Sequence, residues 1–211
     1  MNDSFNKTNY KKYCQILAND YVYFQKVIDE YGFPPLFGRS ISFETMVQII
    51  LEQQVSLASA RAAFNRLKEK IKTVTPQNIL ALTNEELRAC YFTKQKTTYV
   101  KHLAQTILSG DLNLKKLINC SYDEARIILK QVKGIGDWTA DVFLMMAMHR
   151  CDCFPLGDVA LITSAKELLQ LPPHTTKTEI ELISNNWKPY RTLAAFMLWW
   201  SYINKRNMQW K

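Results

Sequence analysis

Glycine and proline are scarce in this chain, 6 and 7 in 211 residues. The period-two alternation of β-branched residues that marks half-buried strands is scarce as well. Together these absences point to an all-α protein. Long apolar runs are also missing. None approaches the roughly 18 residues that a membrane span needs, and the most apolar stretch, 193–200, reads as a buried helix. The start, Met1-Asn2-Asp3-Ser4, is polar and no apolar signal-peptide core follows. An intracellular protein away from membranes is expected. The five cysteines, Cys14, Cys90, Cys120, Cys151 and Cys153, are odd in number and scattered, so they form no disulfide framework. Cys151-x-Cys153 lacks the two-residue spacer of metal knuckles. His102, His149 and His174 show no ligand spacing. No metal site is expected.

Positive charge, by contrast, is plentiful. The net charge is +8 and the pI about 9.2, which favours polyanionic partners. Hydrophobic residues make up 47%, enough for one core or two small lobes.

The helical pattern is legible along the chain. Residues 10–31 read as one helix, ended by Gly32-Phe33-Pro34-Pro35 because proline cannot continue it. Phe43, Met46, Val47, Ile50 and Leu51 form an apolar stripe. The polar break Glu52-Gln53-Gln54-Val55-Ser56 follows, then a helix over 58–70. Thr75-Pro76 is a helix start. Thr83-x-x-Glu86, Ser121-x-x-Glu124 and Thr178-x-x-Glu181 are capping-box patterns. Gly110-Asp111 closes a helix from about Lys94. About ten helices are expected, and no strand pair.

One turn stands out. Lys133-Gly134-Ile135-Gly136-Asp137 lies between a helix over 121–132 and one over 138–149. Its two glycines allow positive φ and close backbone approach. The second helix opens with unsatisfied N–H groups aimed at the turn, where an anion fits. For a basic protein, a DNA phosphate is the natural anion. A dinucleotide-binding turn is excluded, since no strand precedes it and no third glycine follows at the needed spacing. A lone carboxylate, Asp158, follows Gly136 by 22 residues in Phe154-Pro155-Leu156-Gly157-Asp158. An Asp after Gly is a common helix cap, and one residue can both cap and catalyse.

The segment from Leu129 through Gly134-Ile135-Gly136 to Ala140, taken with residues 152–158, resembles the helix–hairpin–helix (HhH-GPD) DNA glycosylase superfamily. Two further segments resemble its alkylation-repair branch, the 3-methyladenine DNA glycosylase II type. These are Ile49-Ile50-Leu51-Glu52-Gln53-Gln54-Val55-Ser56 and Trp187-Lys188-Pro189-Tyr190-Arg191. The resemblance runs from about residue 20 to 203. It implies an all-α, two-lobe fold with the active site in the interlobe cleft. Residues 44–153 would form a central lobe carrying the hairpin (about 121–149), and residues 1–43 plus 154–211 the second lobe. It further implies a monomeric enzyme of base excision repair that hydrolyses the N-glycosidic bond of alkylated purines flipped out of double-stranded DNA. The alternative is a hairpin protein that grips DNA without catalysis.

The resemblance also assigns roles. Asp158 would stabilise the positive charge that develops on the sugar. Trp138 and Trp199, with Tyr190 nearby, would line a pocket that attracts cationic bases. Trp187 and Trp200 read as core. Gln53 or Gln54 would fill the gap left by the flipped base. Lys133, Gly134, Gly136, Thr139 and Lys96 would contact DNA, and Lys94, Lys101 and Arg61 are further cations within the same reading. Relatives that also cut the strand carry a lysine two residues after the second hairpin glycine. Here that residue is Trp138, so a hydrolase without lyase activity is implied. No cysteine follows Cys153, so no iron–sulfur cluster is expected. The family allows a monovalent cation at the hairpin carbonyls. Val142 and Val159 stand where relatives place two more pocket aromatics, which implies an altered pocket. Tyr91 stands where many have glycine.

Overall fold

The computed structural model describes residues 4–208. Within them the chain is all-α. Twelve α-helices run in the order α1 (Tyr10–Asp20), α2 (Val22–Tyr31), α3 (Phe43–Glu52), α4 (Leu57–Ile71), α5 (Pro76–Ala81), α6 (Asn84–Ala89), α7 (Lys94–Leu108), α8 (Tyr122–Lys130), α9 (Asp137–Met146), α10 (Val159–Leu168), α11 (Lys177–Ser184) and α12 (Arg191–Lys205). Two 3₁₀ turns, Lys116–Asn119 and Asn185–Trp187, complete the helical set. The only β pairing among the described residues is a single bridge, Ser4 to Arg150. No described helix is long and apolar enough to cross a membrane.

Backbone packing divides the chain into one unit of residues 1–38 plus 144–211 and another of 39–143. The divisions expected from the sequence, 43/44 and 153/154, lie 5 and 10 residues later. In the 39–143 unit, α7 packs against α3, α5 and α6. Its core includes Ile50 and Leu51 from α3, Phe64 and Leu67 from α4, and Val100, Leu103 and Ala104 from α7. In the other unit α12 is central and packs against α1, α2 and α10. Every residue from Thr192 to Trp199 is buried. A helix apolar on all sides belongs inside a core. Phe196 meets Phe5 and Phe37 edge-on, with ring centroids 5.8 and 5.1 Å apart. Trp187 is buried against Phe24 and Phe154, and its indole N–H donates to the Tyr23 hydroxyl at 2.8 Å.

Local signals explain most helix ends. Thr75 caps α5, with Pro76 at the first helical position. Thr83/Glu86 and Ser121/Glu124 form reciprocal capping boxes on α6 and α8. Gly32, at φ 72°, closes α2. Three expectations need correction. The single helix over 10–31 is two helices, broken at Tyr21, whose backbone is extended. The preceding Asn19-Asp20 are poor helix formers because their side chains compete for backbone groups. The Tyr21 hydroxyl donates to Asn186 O at 2.6 Å, which fixes the break. The capping box of α11 is Thr176/Glu179 rather than Thr178/Glu181. Finally, α9 stops at Met146 rather than 149. His149 adopts φ 52°, and Arg150 N donates back to Leu144 O at 3.1 Å.

Candidate active site and nucleic-acid interface

In the 39–143 unit the hairpin is built as its glycines require. Gly134 has φ 93°, a conformation that side chains rarely adopt. A Cβ there would overlap the ring of Tyr99 on α7. Gly136 differs. Its φ is not positive, it is exposed, and a Cβ there would meet nothing within 4 Å. The first glycine therefore serves packing, while the second leaves the backbone open to an approaching ligand. Ile135 is buried between them and anchors the turn. Lys133 is exposed beside it.

The two hairpin helices are tied by charge. Arg126 of α8 donates to Asp141 at 2.8 Å and pairs with Asp137 at 2.8 Å, both on α9. The Tyr122 hydroxyl also donates to Asp141, at 2.8 Å. Burial pushes the Asp141 carboxyl up, and Arg126 and Tyr122 oppose that shift. The sequence reading missed this cluster. Its only local trace is the acidic residue at each of 137 and 141, one helical turn apart.

The break after α3 is held on both sides. Gln53 Nε2 donates to Gly134 O at 2.9 Å and to Thr139 Oγ1 at 2.8 Å. Gln53 thus holds the hairpin instead of pointing outward. Thr139 is 2% exposed, so its hydroxyl serves Gln53 and is not presented to DNA. Lys96 needs the same correction. It is 8% exposed, and its ammonium donates to Leu51 O at 2.6 Å. Burial lowers its pKa, with Glu52 opposing. It caps the end of α3 and does not reach phosphate. Arg39 grips Glu52 with two bonds, 2.7 and 3.1 Å. At the tip, Gln54 is exposed and left-handed at φ 55°. Such strain, about 1–3 kcal/mol, tends to mark functional loops. Trp138, the second residue of α9, is partly exposed.

In the unit of 1–38 and 144–211, Asp158 caps α10. Its Oδ1 accepts from Leu161 N at 2.9 Å and from Trp199 Nε1 at 3.1 Å. The carboxylate is thereby oriented at a helix N-terminus, where the dipole favours negative charge. Trp199 is 8% exposed, with Phe37 edge-on at 5.9 Å and Phe196 stacked at 6.1 Å. Tyr190 stacks on Tyr13 at 4.9 Å, and burial raises its phenol pKa. Val159, next to Asp158, is 77% exposed. In the 39–143 unit, Val142 of α9 is buried.

The loop before Asp158 is clamped by the start of α12. Arg191 donates to both carboxylate oxygens of Asp152, at 2.7 and 2.8 Å. Thr192 Oγ1 accepts from Cys153 N at 2.9 Å and donates to Arg150 O at 2.6 Å. The sequence shows the Trp187–Arg191 segment as a motif, but only the fold reveals that it holds the loop leading to Asp158. No group of three or more potential metal ligands exists among the described residues.

The match that decides the family covers residues 47–189, which fit the HhH-GPD superfamily of base excision DNA repair proteins. The chain belongs to that superfamily. Its relatives include the DNA-3-methyladenine glycosylase 1 of Schizosaccharomyces pombe, 32% identical over 161 residues, covering 74% of this chain and 71% of that protein. The DNA-3-methyladenine glycosylase of Bacillus subtilis is 33% identical over 169 residues, covering 74% of this chain but 56% of that protein. Thus the chain spans little more than half the length of the latter relative. Among solved structures of the superfamily, the S. pombe 3-methyladenine DNA glycosylase in complex with abasic DNA superposes with a TM-score of 0.82. It is 27% identical, and the match covers 89% of this chain and 95% of that one. A DNA-3-methyladenine glycosidase from Bacillus halodurans matches with a TM-score of 0.73 at 29% identity, covering 91% and 89%.

Proposed function

We infer that this member of the superfamily is a DNA glycosylase that removes alkylated purines of the 3-methyladenine type from double-stranded DNA. The observation that carries the chemistry is the Asp158 carboxylate, fixed at the start of α10 by a backbone N–H and the Trp199 indole. An alkylated purine already bears positive charge. As its N-glycosidic bond breaks, the bonding electrons pass to the base, which leaves neutral. Positive charge then builds on the sugar, where a fixed carboxylate is most effective. Water adds at the anomeric carbon and gives up a proton, leaving an abasic sugar. The DNA-3-methyladenine glycosylases among the relatives support this substrate class.

The remaining parts follow from residue positions. The hairpin backbone from Lys133 to Gly136 receives a phosphate. Gln54, exposed and strained at its loop tip, fills the space the flipped base leaves, since Gln53 is engaged with the hairpin. Trp199, whose indole donates to Asp158, is the aromatic group proposed to meet the base, and the family resemblance names Trp138 and Tyr190 as further aromatic candidates. With tryptophan at position 138 there is no amine to form an imine, so the reading is hydrolysis without strand cleavage. The chemistry uses no cofactor. A monovalent cation on the hairpin carbonyls belongs to the expectation from the family, and no step depends on it.

The test is Asp158→Asn. Asparagine caps helices as well as aspartate does, and its Oδ1 can accept the same two bonds, so fold and DNA affinity stay. Release of free base from methylated duplex falls by a hundred-fold or more. Excision near the wild-type rate refutes the assignment. Borohydride trapping separates the two chemistries, because a covalent enzyme–DNA adduct would overturn the hydrolytic reading.

A further inference from the structure

The hairpin provides one phosphate anchor, and a second basic feature adjoins it within the 39–143 unit. A groove of about 390 Å³ runs between α6, α7 and Lys133. Its wall contains Arg88, Lys94, Lys101 and Lys133, opposed by one carboxylate, Glu85. The rest of the lining is threonine, asparagine, glutamine and histidine, with no apolar side chain. A groove of this composition does not suit an apolar small molecule.

The cations around it are engaged only weakly, Arg88 acting on Glu85 and Lys101 on Glu85 and Glu86 through space. Lys68, Lys70, Arg126 and Lys130 in the same unit are each paired with a carboxylate. Among the described residues, no ion pair within 4 Å holds Arg88, Lys94, Lys101 or Lys133. Glu85 offsets only one of these four charges, and its carboxylate also serves its own helix end. Its backbone N–H and the Thr83 hydroxyl hold its carboxyl below the usual range, with smaller contributions from Arg88 and Lys101. The groove is therefore strongly electropositive and is bound to no acidic segment among the described residues.

Two observations tie it to the hairpin. Lys94, Thr97, Thr98 and Lys101 fall at i, i+3, i+4 and i+7, one polar stripe of α7. Lys133, the residue before Gly134 in the turn, itself lines the groove. The stripe and the phosphate-binding turn are thus neighbours, and Lys133 belongs to both. Lys94 and Lys101 are about 10 Å apart along the helix axis, which matches the axial rise of about three phosphates of one strand.

We propose that this groove carries the phosphodiester backbone of the DNA flank, continuing the path that begins at the hairpin. The inference rests on the DNA-glycosylase reading and adds a second contact surface to it. Its consequence is a larger binding footprint and a steeper salt dependence than one hairpin supplies.

The experiment measures binding of an undamaged duplex by fluorescence anisotropy across a salt series. It compares wild type, the double variant Arg88→Gln/Lys101→Gln, and a control pair of exposed lysines in the other unit, Lys26→Gln/Lys177→Gln. Each lost phosphate contact lowers the log–log slope by about 0.9. The groove variant should lose about 2 from its slope and the control pair nearly nothing, with all three proteins melting alike. Trimming the duplex from one end, but not the other, should erase the difference between wild type and the groove variant. If the groove variant keeps the control slope while wild type releases methylated bases, the groove inference falls and the glycosylase reading stands. If wild type neither binds duplex in a salt-dependent way nor releases base, both fall. An oligoglutamate peptide that binds wild type but not the groove variant, with DNA slopes equal, would assign the surface to an acidic protein and overturn the proposal.

Discussion

The two hairpin glycines should respond to the same substitution in opposite ways. In Gly134→Ala, the new residue must hold φ near 93°, which costs about 1–2 kcal/mol. Its Cβ also falls within the Tyr99 ring, and such overpacking costs about 1–3 kcal/mol. The central expectation is about 3 kcal/mol, a fall in Tm of about 6–12 °C for a chain of this size. Gly136→Ala faces neither penalty, since its φ is ordinary and its Cβ would point into open space. Stability should hold or rise by about 0.4–1 kcal/mol, because alanine restricts the unfolded chain. That open space is where the phosphate is proposed to sit. A methyl group there should break a charge-assisted hydrogen bond worth about 1.5–3 kcal/mol, weakening duplex binding by about 10- to 100-fold. Thermal melts and duplex titrations on both variants separate the two effects. A Tyr99→Ala background sharpens the result, because it removes the overlap and leaves only the backbone strain, so the Gly134→Ala penalty should shrink to about 1–2 kcal/mol. Wild-type duplex affinity in Gly136→Ala would refute the close approach at that residue. Wild-type melting of Gly134→Ala would refute the packing argument.

Other perturbations test the carboxylate and its support. Trp199→Phe keeps an aromatic ring against Phe37 and Phe196 but removes the indole donor to Asp158. Single-turnover excision should fall by about ten-fold or more, and an unchanged rate would show that the bond does not position the carboxylate. Arg191→Lys replaces a two-pronged grip on Asp152 with a single-point contact. Stability should fall by about 1–2 kcal/mol, and excision should fall with it as the loop to Asp158 loosens. His149 supplies a pH dependence. Burial lowers its pKa from 6.5, and its buried Nε2 has no hydrogen-bond partner among the described residues. The unfolded chain therefore takes up the proton first, and stability present above pH 6.5 is lost as pH falls below it. His149→Asn, which tolerates the left-handed backbone at this position, should flatten the loss seen in melts between pH 7 and 5. An equal slope in both proteins would refute that origin.

The legible features of this chain are those set by near neighbours in sequence. Thr75-Pro76, Thr83/Glu86 and Ser121/Glu124 act within one helical turn, so the pattern and the structure coincide. Where two local patterns compete, sequence alone cannot choose. Residues 176–181 fit a capping box in either of two registers, and the fold takes the earlier one. Chemistry-bearing residues are harder to read, because their role depends on partners far along the chain. Lys96 sits in Lys94-Gln95-Lys96 and looks like a surface cation. It is buried because the end of α3, 45 residues earlier, presents an unpaired carbonyl at Leu51. Gln53 looks like a loop-tip residue, yet it spans 81 residues to reach Gly134 O. Both corrections act on the same short segment. Lys96 secures its start and Gln53 ties it to the hairpin, which leaves Gln54 as the exposed, strained residue. The three side-chain bonds from Lys96 and Gln53 hold this segment, and the strained Gln54 forms its exposed tip. The sequence marks the segment, and the long-range bonds leave Gln54 as the glutamine proposed to fill the space of a flipped base.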